Sequence, residues 1–342
     1  MKVVIFLRNP IQAFEPQPAQ LALLRERYPQ HQLVLASTEA EMLQDLNDAG
    51  AALVWRFEAA WYERAPALRF VATPAAGRES VEPDPRGRVR VVHGSFHGKI
   101  MAESLLGMML FFARRLDLAV ADQRARRYQR EQYASTRRLA GQTALIVGYG
   151  RLGRECARLL KAVGLRVLAV KRNADVDPAP ADAVYPVERL HSVLPEADHV
   201  IVILPSDTGT DHLFSERAFA AMRSSAGFYS LGRGNAVDEA ALLRALASGR
   251  LAHAFLDVFE QEPLPADSPM WDAPNLALTP HASAINAQYL ELWFEELAAE
   301  LGGELAGKRV AELAGAQGFG LGFEIAGGEG ALVGEAAIDE DA

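Results

Sequence analysis

At 342 residues, half of them apolar, the chain is long enough to build two hydrophobic cores rather than one. Its formal net charge of -9 and pI near 5.5 leave no surplus of Lys and Arg to neutralise a phosphate backbone, which argues against a nucleic-acid partner. No stretch approaches the roughly 18 apolar residues of a membrane span. Leu105–Phe112 comes nearest and is broken by Ala113-Arg114-Arg115, so a soluble, membrane-free protein is expected.

The opening run Met1-Lys2-Val3-Val4-Ile5-Phe6-Leu7 is too short for a signal-peptide core, lacks a small-residue cleavage site, and reads as a buried strand. Short β-branched runs at Gln32–Ala36, Ala52–Trp55, Arg69–Ala72 and Val89–Val92 follow, separated by helix-like stretches, a pattern that predicts a parallel sheet. Ile100–Leu118 carries a dense apolar face, with Glu103 near its start and Arg114 and Arg115 near its close. That charge order suits the helix dipole, and a long helix leaving the first domain is predicted. The basic run Arg124–Arg138 reads as a solvated or subunit-facing helix surface.

From Thr143 a second alternating series begins, with strands predicted at Ala144–Val147, Arg166–Val170, Val200–Leu204, Gly227–Leu231, Ala254–Val258 and Leu276–Thr279, and a helix at Glu239–Ala247. Near-continuous apolar strands of this length are buried on both faces, as in a doubly wound sheet. One more helix is expected over Ala287–Leu301, and from about Gly315 a Gly, Ala and acid-rich tail that should be mobile. The single cysteine, Cys156, has no partner for an internal disulfide or a thiol zinc site, so a cytoplasmic protein without a metal centre is expected.

Gly148-Tyr149-Gly150-Arg151-Leu152-Gly153 follows a predicted buried strand and opens a predicted helix, the context in which a glycine fingerprint points to a dinucleotide. Gly148 permits a tight turn, Gly150 lets the backbone approach a pyrophosphate, and Gly153 lets helix and strand pack closely. The next strand ends in Lys171-Arg172-Asn173, where an acid would bind the ribose hydroxyls of NAD. Lys171 and Arg172 would instead attract a 2′-phosphate, which favours NADP over NAD. The bland alternative is that both point into solvent.

Reducing a 2-oxo acid needs a cation for the carboxylate and developing alkoxide, and a proton donor for that oxygen. Arg233 and His281 each end a predicted strand, and Glu262 lies between them in sequence, where it could fix the tautomer of His281 and favour its charged form. With Gly232-Arg233-Gly234, Val237-Asp238-Glu239, Leu256-Asp257-Val258-Phe259, Glu262-Pro263-Leu264-Pro265, Trp271, Pro274-Asn275 and Thr279-Pro280-His281 in place, the chain resembles the D-isomer-specific 2-hydroxyacid dehydrogenase family over about residues 50 to 300.

The resemblance implies two Rossmann-like doubly wound α/β domains, with a cofactor domain (99–283) inserted into a split substrate domain (1–98 and 284–314), leaving 315–342 as the tail. It implies a catalytic set of Arg233, Glu262 and His281. It also implies cofactor contacts at Gly148, Tyr149, Gly150, Arg151, Leu152, Gly153, Lys171, Arg172, Leu204, Pro205, Thr210, Leu231, Gly232, Arg233, Asp257 and His281, with Asp257 on the nicotinamide carboxamide. Substrate contacts would come from Arg233 and the loop amides of Ala75, Ala76 and Gly77. From the residues alone, Asp257 could instead be a turn or helix-cap carboxylate, and the loop an ordinary strand-to-helix turn.

Two positions depart from the family pattern: Asp207 stands where a Thr is usual, and His97 where an Asn is usual. His97 could touch substrate or be an ordinary structural residue; Trp55, Trp61 and Tyr62 could line the pocket or fill the core. The resulting expectation is a cytoplasmic, homodimeric, NADP-preferring reductase of small 2-oxo acids, of the glyoxylate or hydroxypyruvate reductase kind, giving the D-2-hydroxy acid. A dinucleotide-sensing, corepressor-like binding protein on the same fold is the alternative. The shortness of the flanking segments weighs against it, and a cofactor-oxidation assay discriminates the two.

Overall fold

The computed structural model describes residues 1–305. Among them, twelve strands form two wholly parallel sheets. The first joins β1 (Lys2–Phe6), β2 (Gln32–Leu35), β3 (Ala51–Val54), β4 (Phe70–Thr73) and β5 (Arg90–His93) in the order β2-β1-β3-β4-β5. The second contains β6 (Thr143–Val147), β7 (Arg166–Lys171), β8 (Ala183–Pro186), β9 (His199–Val202), β10 (Gly227–Ser230), β11 (His253–Leu256) and β12 (Leu276–Leu278), ordered β12-β11-β10-β9-β6-β7-β8. Both are covered by helices, so the expected pair of doubly wound α/β sheets is present.

Strand alternation assigns the second core. Leu145, Val147, Leu168 and Val170 face one side with Phe214, Phe219 and Phe228. Their neighbours Ala144, Ile146, Val167 and Ala169 face the other, against Leu105, Met109, Cys156 and Leu160. Successive side chains point to opposite faces of a strand, so an unbroken apolar run is what a sheet covered on both sides requires. Strand order reverses beside β6, whose neighbours are β9 and β7, and the loops after β6 and β9 flank the crevice where such sheets bind ligands.

The expected helix over Ile100–Leu118 is two helices. His97–Ala113 ends because Arg115 takes a left-handed φ of 53°, and Leu116–Ala125 ends at Arg126 with the same φ. The basic run is therefore mostly not helical: only its first two residues lie in a helix, and Glu131–Ser135 is a short 3-10 turn. Asp238 caps the Glu239–Ala247 helix, its carboxylate accepting from the Ala241 amide at 2.8 Å. The last helix, Tyr289–Leu305, starts two residues later than expected and brings the chain back to the first sheet's segment. There the Tyr289 ring lies 4.4 Å from Phe14, and the Glu296 carboxylate accepts from the Ser95 amide at 2.8 Å. Residues 306–314 of the expected substrate domain and the expected 315–342 tail lie outside the described residues. Among the described residues no helix is long and apolar enough to cross a membrane.

Candidate active site

The glycine loop leaves β6 and turns at once into the helix Arg151–Ala162. Gly148 has φ +105°, and a Cβ there would collide with the Ile203 carbonyl; one at Gly153 would collide with the Gly148 carbonyl. Gly150, the residue at the helix N-cap, faces open space and offers no side-chain cap to the first helical amides. Orphan N–H groups, the positive end of the helix dipole and a position kept clear of side chain together fit a pyrophosphate. The Tyr149 side chain belongs to the fold instead: its hydroxyl donates to Pro178 O at 2.7 Å and accepts from the Ala181 amide at 2.9 Å. Arg151 reaches Ser95 Oγ at 3.3 Å, and a Cβ on Gly98 would sit 3.2 Å from Leu152 Cα, so the cofactor loop abuts the start of the His97–Ala113 helix.

Lys171 closes β7 and Arg172 follows it. The Arg172 guanidinium, three-quarters exposed, lies 3.0 Å from Asp207 Oδ2. Asp207 Oδ1 accepts from the Gly209 amide at 2.8 Å. That amide and then Arg172 hold the Asp207 carboxyl below its ordinary range. Arg172 of the basic pair and one of the two departures from the family pattern are thus in contact, 35 residues apart in sequence. Thr210 is buried and shapes the same loop, its hydroxyl 2.6 Å from Asp207 O and 3.1 Å from Pro205 O. Gly232 is required here as well, since a Cβ would run into the backbone of Leu204, and Leu231 beside it is core.

Because every strand of the second sheet is parallel, Arg233 after β10, Asp257 after β11 and His281 after β12 emerge at the same edge as the glycine loop. Glu262 Oε2 lies 2.8 Å from His281 Nδ1, while its Oε1 accepts from the Phe259 amide at 3.0 Å. The carboxylate selects the tautomer with a proton on Nδ1 and leaves Nε2 for a ligand. His281 takes a left-handed φ of 51°, and its amide donates to Asp257 O at 2.8 Å. Asp257 is fully buried. Its Oδ1 accepts from Thr279 Oγ1 (2.5 Å), Ala282 N (2.7 Å) and Ser283 N (3.1 Å), and Oδ2 lies 3.1 Å from the same Ser283 amide. Asp257 therefore anchors the loop that presents His281, the turn-carboxylate role its residue type allowed.

Arg233 is only partly exposed. One amino group donates to Gly232 O at 2.9 Å, and its Nε lies 3.2 Å from the carboxylate of Glu79. Glu79 lies two residues beyond the Ala75-Ala76-Gly77 loop, and a Cβ on Gly77 would strike both the Glu79 carboxylate and the Arg233 guanidinium. Burial opposes the charge of Glu79, but its backbone amide, Arg233 and His93 outweigh it and hold the carboxyl below its ordinary range. Sequence reasoning had no signal for Glu79.

His97 is buried, with Nε2 2.7 Å from the Tyr289 hydroxyl. Burial first, and the charge of Arg233 second, push its pKa down to about 4, so it is neutral at pH 7 and poorly suited to be a proton donor there. Trp55 joins the same wall, 6.1 Å from Tyr289, with Nε1 donating to Phe14 O at 3.3 Å. Trp61 and Tyr62 pack in the first core instead. Among the described residues no group of three or more His, Cys, Asp or Glu could hold a metal ion.

Two parallel α/β sheets, a glycine cradle at a helix N-terminus and an Arg and a Glu-His pair on one sheet edge define the class of dinucleotide-dependent dehydrogenases. The model of the D-isomer specific 2-hydroxyacid dehydrogenase NAD binding domain matches residues 106–283, and the chain belongs to that family. It is 30% identical to the glyoxylate reductase of Korarchaeum cryptofilum over 78% of this chain and 82% of that protein. Glyoxylate/hydroxypyruvate reductase B of Salmonella paratyphi B is 37% identical over 64% and 69% of the two chains. The crystal structure of a D-isomer specific 2-hydroxyacid dehydrogenase from Xanthobacter autotrophicus Py2, in complex with NADPH and MES, superposes with a TM-score of 0.73 at 27% identity, covering 90% of this chain and 96% of that one. The chain spans 48% of the D-3-phosphoglycerate dehydrogenase of Methanocaldococcus jannaschii and 33% of the chloroplastic enzyme of Arabidopsis thaliana, to which it is also similar.

Proposed function

We propose that the protein is a reductase of small 2-oxo acids, of the glyoxylate or hydroxypyruvate kind, that prefers NADPH and yields the D-2-hydroxy acid. The observation that carries this reading is the 2.8 Å Glu262–His281 pair, presented at the sheet edge that also carries Arg233 and the glycine cradle. The NADPH held by the Xanthobacter structure and the names of the two reductases above support it.

In this reading Gly148, Gly150 and the helix N-terminus hold the pyrophosphate, and Lys171 and Arg172 take a 2′-phosphate. Leu204, Pro205, Thr210, Leu231 and Gly232 wall the cofactor site, and Asp257, buried with its carboxylate held by Thr279, Ala282 and Ser283, serves the site by fixing the loop that carries His281. When bound, the cofactor supplies a hydride for substrate C2. Arg233 binds the substrate carboxylate and polarises the carbonyl, helped by the amides of Ala75, Ala76 and Gly77. Nε2 of His281 gives its proton to the carbonyl oxygen as that oxygen gains charge, and takes it back in the reverse direction. Glu262 orients the ring through Nδ1 and offsets the charge His281 carries before transfer.

A cytoplasmic homodimer is part of the proposal. Leu110, Leu116, Val120 and Tyr128 are all exposed along or just beyond the two helices that leave the first sheet, apolar surface that a second subunit would cover. The test is NADPH oxidation with a panel of 2-oxo acids. Oxidation with a short acid upholds the reading; tight NADPH binding with no oxidation by any acid contradicts it and favours a dinucleotide sensor.

A further inference from the structure

At the end of β7, where sheets of this kind that bind NAD carry an acid for the adenosine ribose, the chain has Lys171-Arg172-Asn173 and no carboxylate. The fold brings a carboxylate there from another strand. β6 lies between β7 and β9, and the segments that follow both neighbours close on the glycine loop. The Gly148 amide donates to Val170 O at 3.0 Å, and Lys171 is the next residue; a Cβ on Gly148 would meet the Ile203 carbonyl and the Leu204 side chain. Asp207 belongs to the loop that continues from Leu204, and its Oδ2 lies 3.0 Å from the Arg172 guanidinium. The end of β7 and the loop after β9 therefore meet beside the pyrophosphate cradle, and an acid and a base join them.

The Asp207 carboxylate is fixed by its own turn. Its Oδ1 accepts from the Gly209 amide at 2.8 Å, and its backbone oxygen accepts from the Thr210 amide at 2.8 Å and from the Thr210 hydroxyl at 2.6 Å. Thr210 is itself buried, so the turn is anchored from below while Oδ2 faces Arg172. The Gly209 amide and Arg172 hold the carboxyl below its ordinary range, so it is charged at neutral pH.

The two groups suit two different ligands. A 2′-phosphate is drawn by the guanidinium and repelled by the carboxylate. A ribose with free hydroxyls offers O–H donors, which a carboxylate accepts and a guanidinium, with no acceptor, does not. One small region therefore carries a partner for each form of the dinucleotide, and a 2′-phosphate has to share Arg172 with Asp207.

We propose that Asp207 is a cofactor-binding residue that accepts from a ribose hydroxyl of NADH, supplying from the loop after β9 the acid that β7 lacks, so that the protein binds NADH as well as NADPH. This deepens the reading in which Lys171 and Arg172 take the 2′-phosphate and rests on it.

The experiment is fluorescence titration of NADH and NADPH into the parent, Asp207→Asn and Arg172→Ala, which requires no turnover. Asp207→Asn keeps an oxygen for the Gly209 amide and so keeps the turn. Its NADH affinity should fall ~3–10-fold, while its NADPH affinity should rise ~1.5–5-fold as Arg172 is released from an exposed ion pair. Removing a negative charge alone favours any anionic dinucleotide, so weaker NADH binding is the mark of a lost hydroxyl contact. An NADH affinity that is unchanged or improved in Asp207→Asn would overturn the proposal, and so would equal losses for the two cofactors, which would mean only a damaged turn.

Arg172→Ala reads the underlying assignment separately. It should weaken NADPH ~10-fold and leave NADH within about two-fold. Should NADPH affinity be unaffected there, the 2′-phosphate assignment fails, while the fall in NADH affinity in Asp207→Asn still decides the role of Asp207.

Discussion

Glu79 is expected to compete with the substrate carboxylate for Arg233. Its carboxylate lies 3.2 Å from Arg233 Nε, so an incoming 2-oxo acid would compete for a guanidinium that is partly engaged. Glu79→Gln keeps the shape and removes the charge. The Glu79 side chain is 53% exposed, which places the pair among solvent-screened ion pairs worth ~0.2–1 kcal/mol rather than among buried ones. Removing the competitor should therefore lower KM for a 2-oxo acid by ~1.5–5-fold, with kcat changed little. Because Glu79 is held below the ordinary carboxylate range, its competition persists throughout neutral pH and is relieved only as acid protonates it. Steady-state kinetics at pH 7 on parent and variant, at saturating NADPH, read the effect. A KM that rises in Glu79→Gln would refute the argument and make Glu79 a positioner of Arg233.

Three further expectations concern the cofactor, the His281 loop and acid stability. NADPH should give a higher kcat/KM than NADH, with the order reversed by Lys171→Asp combined with Arg172→Ala; Asp207→Asn, which removes the negative charge 3.0 Å from Arg172, should sharpen the preference, and equal parent efficiencies would contradict the assignment. Asp257→Ala, which leaves the Thr279, Ala282 and Ser283 donors without their acceptor, should cost at least ~2 kcal/mol in urea unfolding and depress kcat by loosening the loop that presents His281. At the opposite edge of the second sheet, His199 and His253 both hydrogen-bond the buried Tyr229 hydroxyl, and burial pushes them down to about 4 and about 3. The unfolded chain then binds more protons than the folded one, so stability should fall by up to ~1.4 kcal/mol per pH unit per group as pH drops from about 6.5 toward 4, read as a falling urea midpoint.

The strands were legible because buried parallel strands write themselves as short apolar runs. The edge strand Ala183–Pro186, half-buried throughout and ended by proline, carries no such run and was not anticipated. The break at Arg114-Arg115 was hidden because a residue in the left-handed region has no signature when it is an arginine rather than a glycine. Arg233, Glu262 and His281 were readable as chemistry-bearing residues at strand ends and in the loop between. The contacts of Glu79 and His97 were not, because each joins distant segments: Glu79 to Arg233 across 154 residues and His97 to Tyr289 across 192. The pairing of Asp207 with Arg172 joined two features noticed separately, and only the fold shows that the acid sits on the base.

The central claim is that His281, held by Glu262, supplies the proton during reduction of a 2-oxo acid. The most direct measurement is kcat for that reduction in His281→Ala against the parent, at saturating NADPH and acid, with NADPH affinity measured separately by fluorescence. A fall of ~10²–10⁴-fold with affinity essentially retained is the predicted result; a kcat within a few-fold of the parent would contradict the account.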